Sequence, residues 1–171
     1  ENFQAEQKKF EKALDRTMGL LKNLLQEERL MEMSRQLENL LKKQESILEN
    51  TDKLSTEKLA ESESNLARET RQTDEFIQDA QKGLEDELRE KIAGLAEKMR
   101  EQGIEQQMEK SAGEFREGQR SEGRQSAEKA KNMLSRMMQQ FQQMQSDWQQ
   151  QNKEQIQQKL EQIFRQVMLL S

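Results

Sequence analysis

The chain has 171 residues, of which 32% are hydrophobic and 36% are charged, and its formal net charge is −5. It contains no His and no Cys, which excludes a Ser-His-Asp triad, a thiol nucleophile, a structural zinc site and a disulfide. We therefore predict a protein that is not an enzyme, with no catalytic residue, no metal site and no cofactor.

The absence of proline from the whole chain is the clearest indication of its secondary structure. A proline costs about 3 kcal/mol inside a helix, so its absence beside abundant Glu, Gln, Lys, Leu and Met predicts helix nearly throughout. The small apolar fraction can fill only a thin core, which favours an elongated shape. We predict an all-α fold, an elongated antiparallel helical bundle or coiled-coil rod of three long helices in one domain, 1–171. A hairpin of two longer helices is the alternative.

The first predicted helix covers 3–54. Phe3 and Phe10 are seven residues apart, as are Leu14 and Leu21, which is the spacing of a heptad repeat. A wider apolar face follows over 18–33, and from Leu37 the apolar seam is regular. A helix break at 50–57 is left open, since Thr51, Ser55 or Thr56 could cap a new helix there.

The second predicted helix covers 56–110 and continues with steps of three and four. Its seam and that of the first helix include polar residues, namely Gln44, Thr51, Ser62, Thr70 and Thr73. Buried polar residues in a coiled coil set register and oligomeric state at a cost in stability. The alternative is that these positions face water.

A predicted turn or linker covers 111–126, where Gly113, Gly118 and Gly123 recur among serines and charges and each disfavours helix. We expect the chain to reverse direction here. Arg116, Arg120 and Arg124 are spaced by four, so in a helix they would form a cationic stripe able to dock an acidic partner or anionic head groups. A solvated loop is the other interpretation.

The third predicted helix covers 127–170, with Ser126 as its N-cap. Its apolar residues Leu134, Met137, Phe141, Met144 and Trp148 step by three and four, and we expect the last four to form a packing and interaction surface. Clustered thioethers can also bind copper(I), as in Met31 and Met33, but a helical seam is the commoner role. After Trp148 the seam slips by one residue, and Ile156, Leu160, Ile163, Val167 and Leu170 follow.

Two segments, "LENLLKKQESILENTDKL" at 37–54 and "MMQQFQQMQSDWQQQNKEQIQQKLEQIF" at 137–164, resemble a known family. This is the Gln/Met/Glu-rich long-helix region of large bacterial membrane-anchored proteins of unknown function, in which the helices follow an amino-terminal transmembrane part. The resemblance implies a domain on the outer, periplasmic side of the inner membrane. It carries over no catalytic residue.

We predict a structural or scaffolding coiled-coil domain that mediates protein–protein assembly, with a protein partner or a homo-oligomer. The alternative is an amphipathic module that binds lipid surfaces or exposed apolar clients, suggested by the wide apolar faces at 18–33 and 160–170. The mild negative charge and few aromatic residues argue against nucleic acid. No apolar run is long enough to span a membrane. The chain begins at Glu1 and stops after an apolar patch, so we expect a fragment whose membrane anchor lies outside it. The bacterial envelope is favoured over the cytoplasm.

Overall fold

The computed structural model describes residues 2–170, apart from the side chains at positions 163, 166 and 170. The elements in chain order are α1 (Asn2–Glu49), α2 (Thr56–Ala80), a 3-10 turn (Gln81–Gly83), α3 (Asp86–Glu101), α4 (Ile104–Arg116) and α5 (Arg120–Leu170). The predicted all-α class is confirmed. Among the described helices, none is both long enough and apolar enough to cross a membrane.

Four helical legs pack side by side, and each runs antiparallel to the one before it. The legs are α1, α2, α3 continued by α4, and α5. Three side-chain contacts show the order: Gln44 of α1 with Glu63 of α2, Arg71 of α2 with Glu105 of α4, and Ser111 of α4 with Gly123 of α5. The rod of three long helices is therefore not confirmed.

The extra leg arises because the predicted helix 56–110 folds back on itself at residues 81–85. Leu84 and Leu88 are buried after the reversal, so folding back covers apolar surface that one long helix would leave open. Asp86 and Glu87 occupy the first turn of α3, where carboxylates interact favourably with the helix dipole. A second break follows at Gly103, whose φ of 67° is left-handed and separates α3 from α4.

The predicted linker 111–126 is wrong for most of its length. The segment is helical except for residues 117–119, where Gly118 adopts a φ of 77° and the chain reverses. Ser126 lies buried inside α5 instead of capping it. Burial of Ala112, Phe115 and Ala127 on both sides of the turn outweighs the weak helix propensity of the glycines.

The break that the sequence left open at 50–57 is present. Helix α1 ends at Glu49, and Ser55 is the N-cap of α2, accepting a hydrogen bond from the Lys58 amide at 3.3 Å. The predicted polar seam residues are buried at Gln44, Thr51, Thr70 and Thr73, and Ser62 is partly buried. These residues face the interior and not water.

The molecule consists of a four-helix body and two projecting arms. The body is α1 from Gln26 onward, all of α2 to α4, and α5 up to Trp148, and it contains the buried apolar core. The body ends where the Gln26 side-chain oxygen accepts a hydrogen bond from the Glu85 amide at 2.9 Å. The described residues beyond that level are 2–25, the α1 arm, and 149–170, the α5 arm; no described side chain of either arm is buried.

Candidate interaction surface

The predicted interaction residues of α5 lie in the core of the body. Met137, Phe141 and Met144 are buried, and Trp148 is partly buried against them. The structure therefore places these residues in a packing role. Met137, Phe141 and Met144 would contact a partner only if the body opened. Their seam faces α1 and α3, and a shared layer includes Leu37, Ile92 and Met99.

The methionines do not form a thioether cluster between positions 31 and 33. Met33 is fully buried and Met31 is 60% exposed. Among the described residues, no group of three or more His, Cys, Asp or Glu side chains is placed to hold a metal ion.

The three arginines do not form a common stripe, because Arg116 ends α4 whereas Arg120 and Arg124 begin α5. Arg116 donates to the Ser64 hydroxyl. Arg120 donates to the carbonyl of Thr51 and, at 2.9 Å, to that of Leu54. Arg124 approaches the Asp52 carboxylate at 3.5 Å. Arg120 and Arg124 thus fasten α5 to the α1–α2 turn, where cations favourably meet carbonyls at a helix end.

A polar cluster lies inside the body, between α1, α2 and α4. The Gln44 amide donates to Oε1 of Glu63 at 2.7 Å, and the Ser111 hydroxyl lies 3.1 Å from the same oxygen. Burial raises the pKa of Glu63 from 4.5 to about 7, and the hydrogen bonds from Gln44 and Ser111 only partly oppose it. Two buried atoms, Oε2 of Glu63 and Oε1 of Gln44, have no hydrogen-bond partner among the described residues. Both atoms can only accept while Glu63 is ionised, and a proton on Glu63 adds one donor inside this cluster.

The arms carry large apolar side chains in water. Each of these side chains has about half or more of its surface exposed, from Leu14 at 49% to Leu169 at 86%. On the α1 arm they are Phe3, Phe10, Leu14, Met18, Leu20, Leu21, Leu24 and Leu25, and on the α5 arm Leu160, Phe164, Val167, Met168 and Leu169. At roughly 50 Å² each they present on the order of 600 Å² of apolar surface. The largest contiguous apolar patch on a typical monomer is about 300–600 Å², so the two arms together expose as much apolar surface as one such patch.

These apolar residues do not continue the register of the body core. The core positions Ile47, Leu40 and Met33 are seven apart, and the same spacing leads through Gln26 to Gly19 and Lys12. In α5 the series Leu134, Phe141, Trp148 leads to Gln155 and Gln162. The core-facing register therefore becomes polar in both arms, and the apolar stripes turn to a different face.

A cleft of about 580 Å³ separates the arms next to the body. Its lining includes Arg16 and Asn23 on the α1 arm and Gln151 and Gln155 on the α5 arm, and the start of α3 contributes further lining residues. Apolar side chains also line it, namely Leu20, Trp148, Ile156 and Leu160. The side of the α1 arm that carries the continued core register, at Gly19 and Arg16, therefore faces this cleft. Most of the exposed apolar side chains of the arms lie outside the cleft, whereas Leu20 and Leu160 belong to its lining.

The predicted seam of the α5 arm is not a covered seam. Ile156 is partly buried, Leu160 and Val167 are exposed, and Ile163 and Leu170 lie outside the described side chains. Sequence reasoning assigned heptad contacts to the α1 arm as well, and missed that its stripe departs from the body register. The signal was available, because seven-residue steps back from Met33 reach Gly19 and Lys12.

The chain has no match to a known protein by three comparisons. No family model matches it, and no curated protein and no solved structure matches it. Its function must therefore be inferred from the chemistry of its own residues.

Proposed function

We propose that this chain is a non-enzymatic assembly module, in which the four-helix body is a rigid support and the two arms dock other protein helices. The observation that carries the proposal is the exposed apolar face of the arms, defined above. Large exposed apolar patches on soluble proteins mark interaction sites, because covering them removes apolar surface from water. In helix-in-groove and helix-bundle complexes, a helix contacts its partner through apolar residues at i, i+3, i+4 and i+7.

The geometry of the arms supports protein helices as the ligand. In the body, α1 packs against α2 as well as α5, and α5 packs against α3 and α4 as well as α1. In the arms those neighbours are missing, since α2 and α3 meet at the turn at 81–85 and extend no further. Helices from a partner that pack on the apolar stripes of the arms would cover them as neighbouring helices cover the core of the body, and ridges-into-grooves packing provides the fit.

A lipid surface is the second candidate, and the charge of the arms favours it. The α1 arm carries five Lys and Arg against three Asp and Glu, and the α5 arm three against two, whereas the whole chain is at −5. A basic amphipathic helix with Phe and Leu on its apolar face is typical of binding to anionic membranes. Co-sedimentation of the wild type with anionic vesicles would support this candidate if the double substitution Leu14→Gln and Met18→Gln abolished it. An envelope location, which the family resemblance implies, is compatible with both candidates.

A photo-crosslinking amino acid in the arm tests the proposed function. We expect a benzophenone side chain at Phe10, in the full chain and in the cells that produce it, to form covalent adducts whose added mass is protein. The matched control places the same side chain at Gln72, which is exposed on α2 in the body and should yield few adducts. Adducts at position 10 that carry only lipid, or no adducts beyond the control level, would overturn the protein-docking function.

A further inference from the structure

The cleft between the arms carries an excess of positive charge, although the whole chain has a formal charge of −5. Its charged lining residues are Asp15, Arg16, Lys22, Glu85, Glu87, Lys91 and Lys159. Two ion pairs account for four of them, since Lys22 lies 3.5 Å from Glu85 and Lys91 lies 2.8 Å from Glu87. Arg16 and Lys159 remain, opposed only by Asp15, and none of these three forms an ion pair with a described residue.

The positive charge continues along α1 away from the body. Residues seven apart lie on the same face of a helix, so the cleft-facing side of α1 continues one heptad beyond Asp15, Arg16 and Gly19. The three residues at those positions are exposed lysines, namely Lys8, Lys9 and Lys12. One heptad beyond the α5 lining, the positions with described side chains are uncharged, namely Gln158, Gln162 and Val167.

The other carboxylates of the two arms lie on other faces. At 3.6 residues per turn, Glu6 and Glu11 are about 95° or more around α1 from the centre of its cleft-facing side. Glu154 and Glu161 are about 145° or more around α5 from the centre of its own. The unpaired charges on the cleft side are therefore one carboxylate, at Asp15, against five cations. These cations are Lys8, Lys9, Lys12, Arg16 and Lys159.

The shape of the cleft suits a helix. The two arms are antiparallel helices, and the start of α3 closes the inner end of the cleft near Leu88. A groove between two helices accepts the side-chain ridges of a third. The positive side of α1 from Lys8 to Lys22 is about 21 Å long, the length of about 14 helical residues. At the inner end, Leu20, Trp148 and Ile156 offer apolar contacts to such an occupant.

The spacing of the cations specifies the charge of the occupant. Lys9, Lys12 and Arg16 step by three and four residues, which is also the spacing of side chains along one face of a partner helix. Complementary charges across an interface select the partner and fix its register. We propose that the cleft binds an acidic amphipathic helix of another protein, whose carboxylates contact these three cations and whose apolar side chains contact Trp148. This inference goes beyond the proposed docking function, because the apolar stripes lie outside the cleft except at Leu20 and Leu160.

The fluorescence of Trp148 tests the inference, because Trp148 lines the cleft and is the only Trp of the chain. The probe is a Trp-free peptide of about 20 residues with Glu on one helical face and Leu on the other, long enough to form helix. We expect it to shift the Trp148 emission maximum saturably, and to bind more weakly as salt is raised. The matched peptide with Gln in place of every Glu should bind at least about tenfold more weakly.

Two double substitutions with the same change of charge separate the cleft from the rest of the surface. Lys12→Glu with Arg16→Glu should raise the Kd for the acidic peptide at least about tenfold, because it replaces two attractions by repulsions. Lys129→Glu with Lys153→Glu alters exposed residues of α5 outside the cleft lining. This control should change the Kd less than about twofold, since distant exposed charges are screened. Circular dichroism would show that both variants keep the helical content of the wild type.

Three results would overturn the inference: equal binding of the Glu and Gln peptides, equal weakening by both double substitutions, or no response of Trp148 to the acidic peptide. Binding of anionic vesicles without binding of the peptide, weakened only by the cleft substitutions, would assign the cations to lipid and would also overturn it. The docking function is tested separately at Phe10. Protein adducts at position 10, with no peptide bound in the cleft, would refute the acidic helix and leave the docking function standing.

Discussion

At the scale of single residues, Glu63 is the most informative side chain in the body. Its carboxyl group is fully buried, and its hydrogen-bond partners are the uncharged Gln44 and Ser111. An unpaired carboxylate in such a place loses its hydration without gaining a cation, so the protonated form is favoured. This loss of hydration raises the pKa of Glu63 to about 7.

The stability of the body should therefore fall as pH rises. The folded-state pKa of Glu63 lies above the unfolded value, so its stabilising effect is complete below pH 4.5 and is lost as pH rises to about 7. We expect the free energy of unfolding to decrease by about 2–3 kcal/mol between pH 5 and pH 8. No His is present to titrate in this window. Urea unfolding followed by circular dichroism at four pH values would measure it.

The matched variants isolate the carboxyl group. Glu63→Gln keeps the size of the side chain and adds an amide donor without charge, so its stability should change little from pH 5 to pH 8. Glu61→Gln alters an exposed residue of the same helix and should retain the wild-type slope. A wild type with a flat profile would show that Glu63 is ionised at little cost.

At the scale of elements, the contact between α4 and α5 depends on the absence of a side chain at Gly123. A Cβ built there would lie 2.7 Å from the ring of Phe115, which is fully buried, and the Gly123 carbonyl accepts a hydrogen bond from Ser111 at 2.8 Å. Gly123 therefore permits a close approach of the two helices. The sequence interpretation of this residue as a helix-breaking linker glycine was wrong.

Two glycine substitutions should have opposite effects. Gly123→Ala gains helix propensity, yet it forces Phe115 to move inside a packed core, so we expect a net loss of about 1–2 kcal/mol in the free energy of unfolding. Gly113→Ala, in α4, meets nothing within 4 Å and should stabilise by about 0.5–1 kcal/mol. Both are measurable by urea unfolding. If the two variants were equally stabilising, the close contact at Phe115 would be refuted.

At the scale of the whole molecule, the arms and the body differ in how many neighbours protect each helix. In the body α1 and α5 are covered by α2, α3 and α4, whereas in the arms an open cleft lies between the two helices. Segments with few buried apolar contacts open at lower free energy than a packed core. The same helix should therefore have a stable half and a labile half.

Hydrogen exchange should reveal this division within α1 and α5. At submicromolar concentration we expect amides in 2–25 and 149–170 to exchange at least about tenfold faster than those in 30–47 and 127–144, which serve as the internal reference. Arms as protected as the body at that concentration would contradict the division.

Local features of the chain were predictable because they depend on a few neighbouring residues. The helical content and the buried seam from Leu134 to Met144 follow from propensity and periodicity, and Ser55 is one of the three caps that the sequence left open at 50–57. The seam of α5 could be identified without its neighbours, because its apolar residues lie on one face whichever helices cover them.

What the sequence determines on its own is that this chain is helical, has no His and no Cys, and carries apolar stripes along its helices. Only the tertiary structure decides the reversal at residues 81–85, the helical state of 111–126 and which stripes are covered. The physical reason is that a helix face is covered only as far as its neighbouring helices extend. The lengths of those helices are set by packing between distant segments of the chain. The stripe from Phe3 to Leu25 has seam spacing, and it stays exposed because the body ends at Gln26.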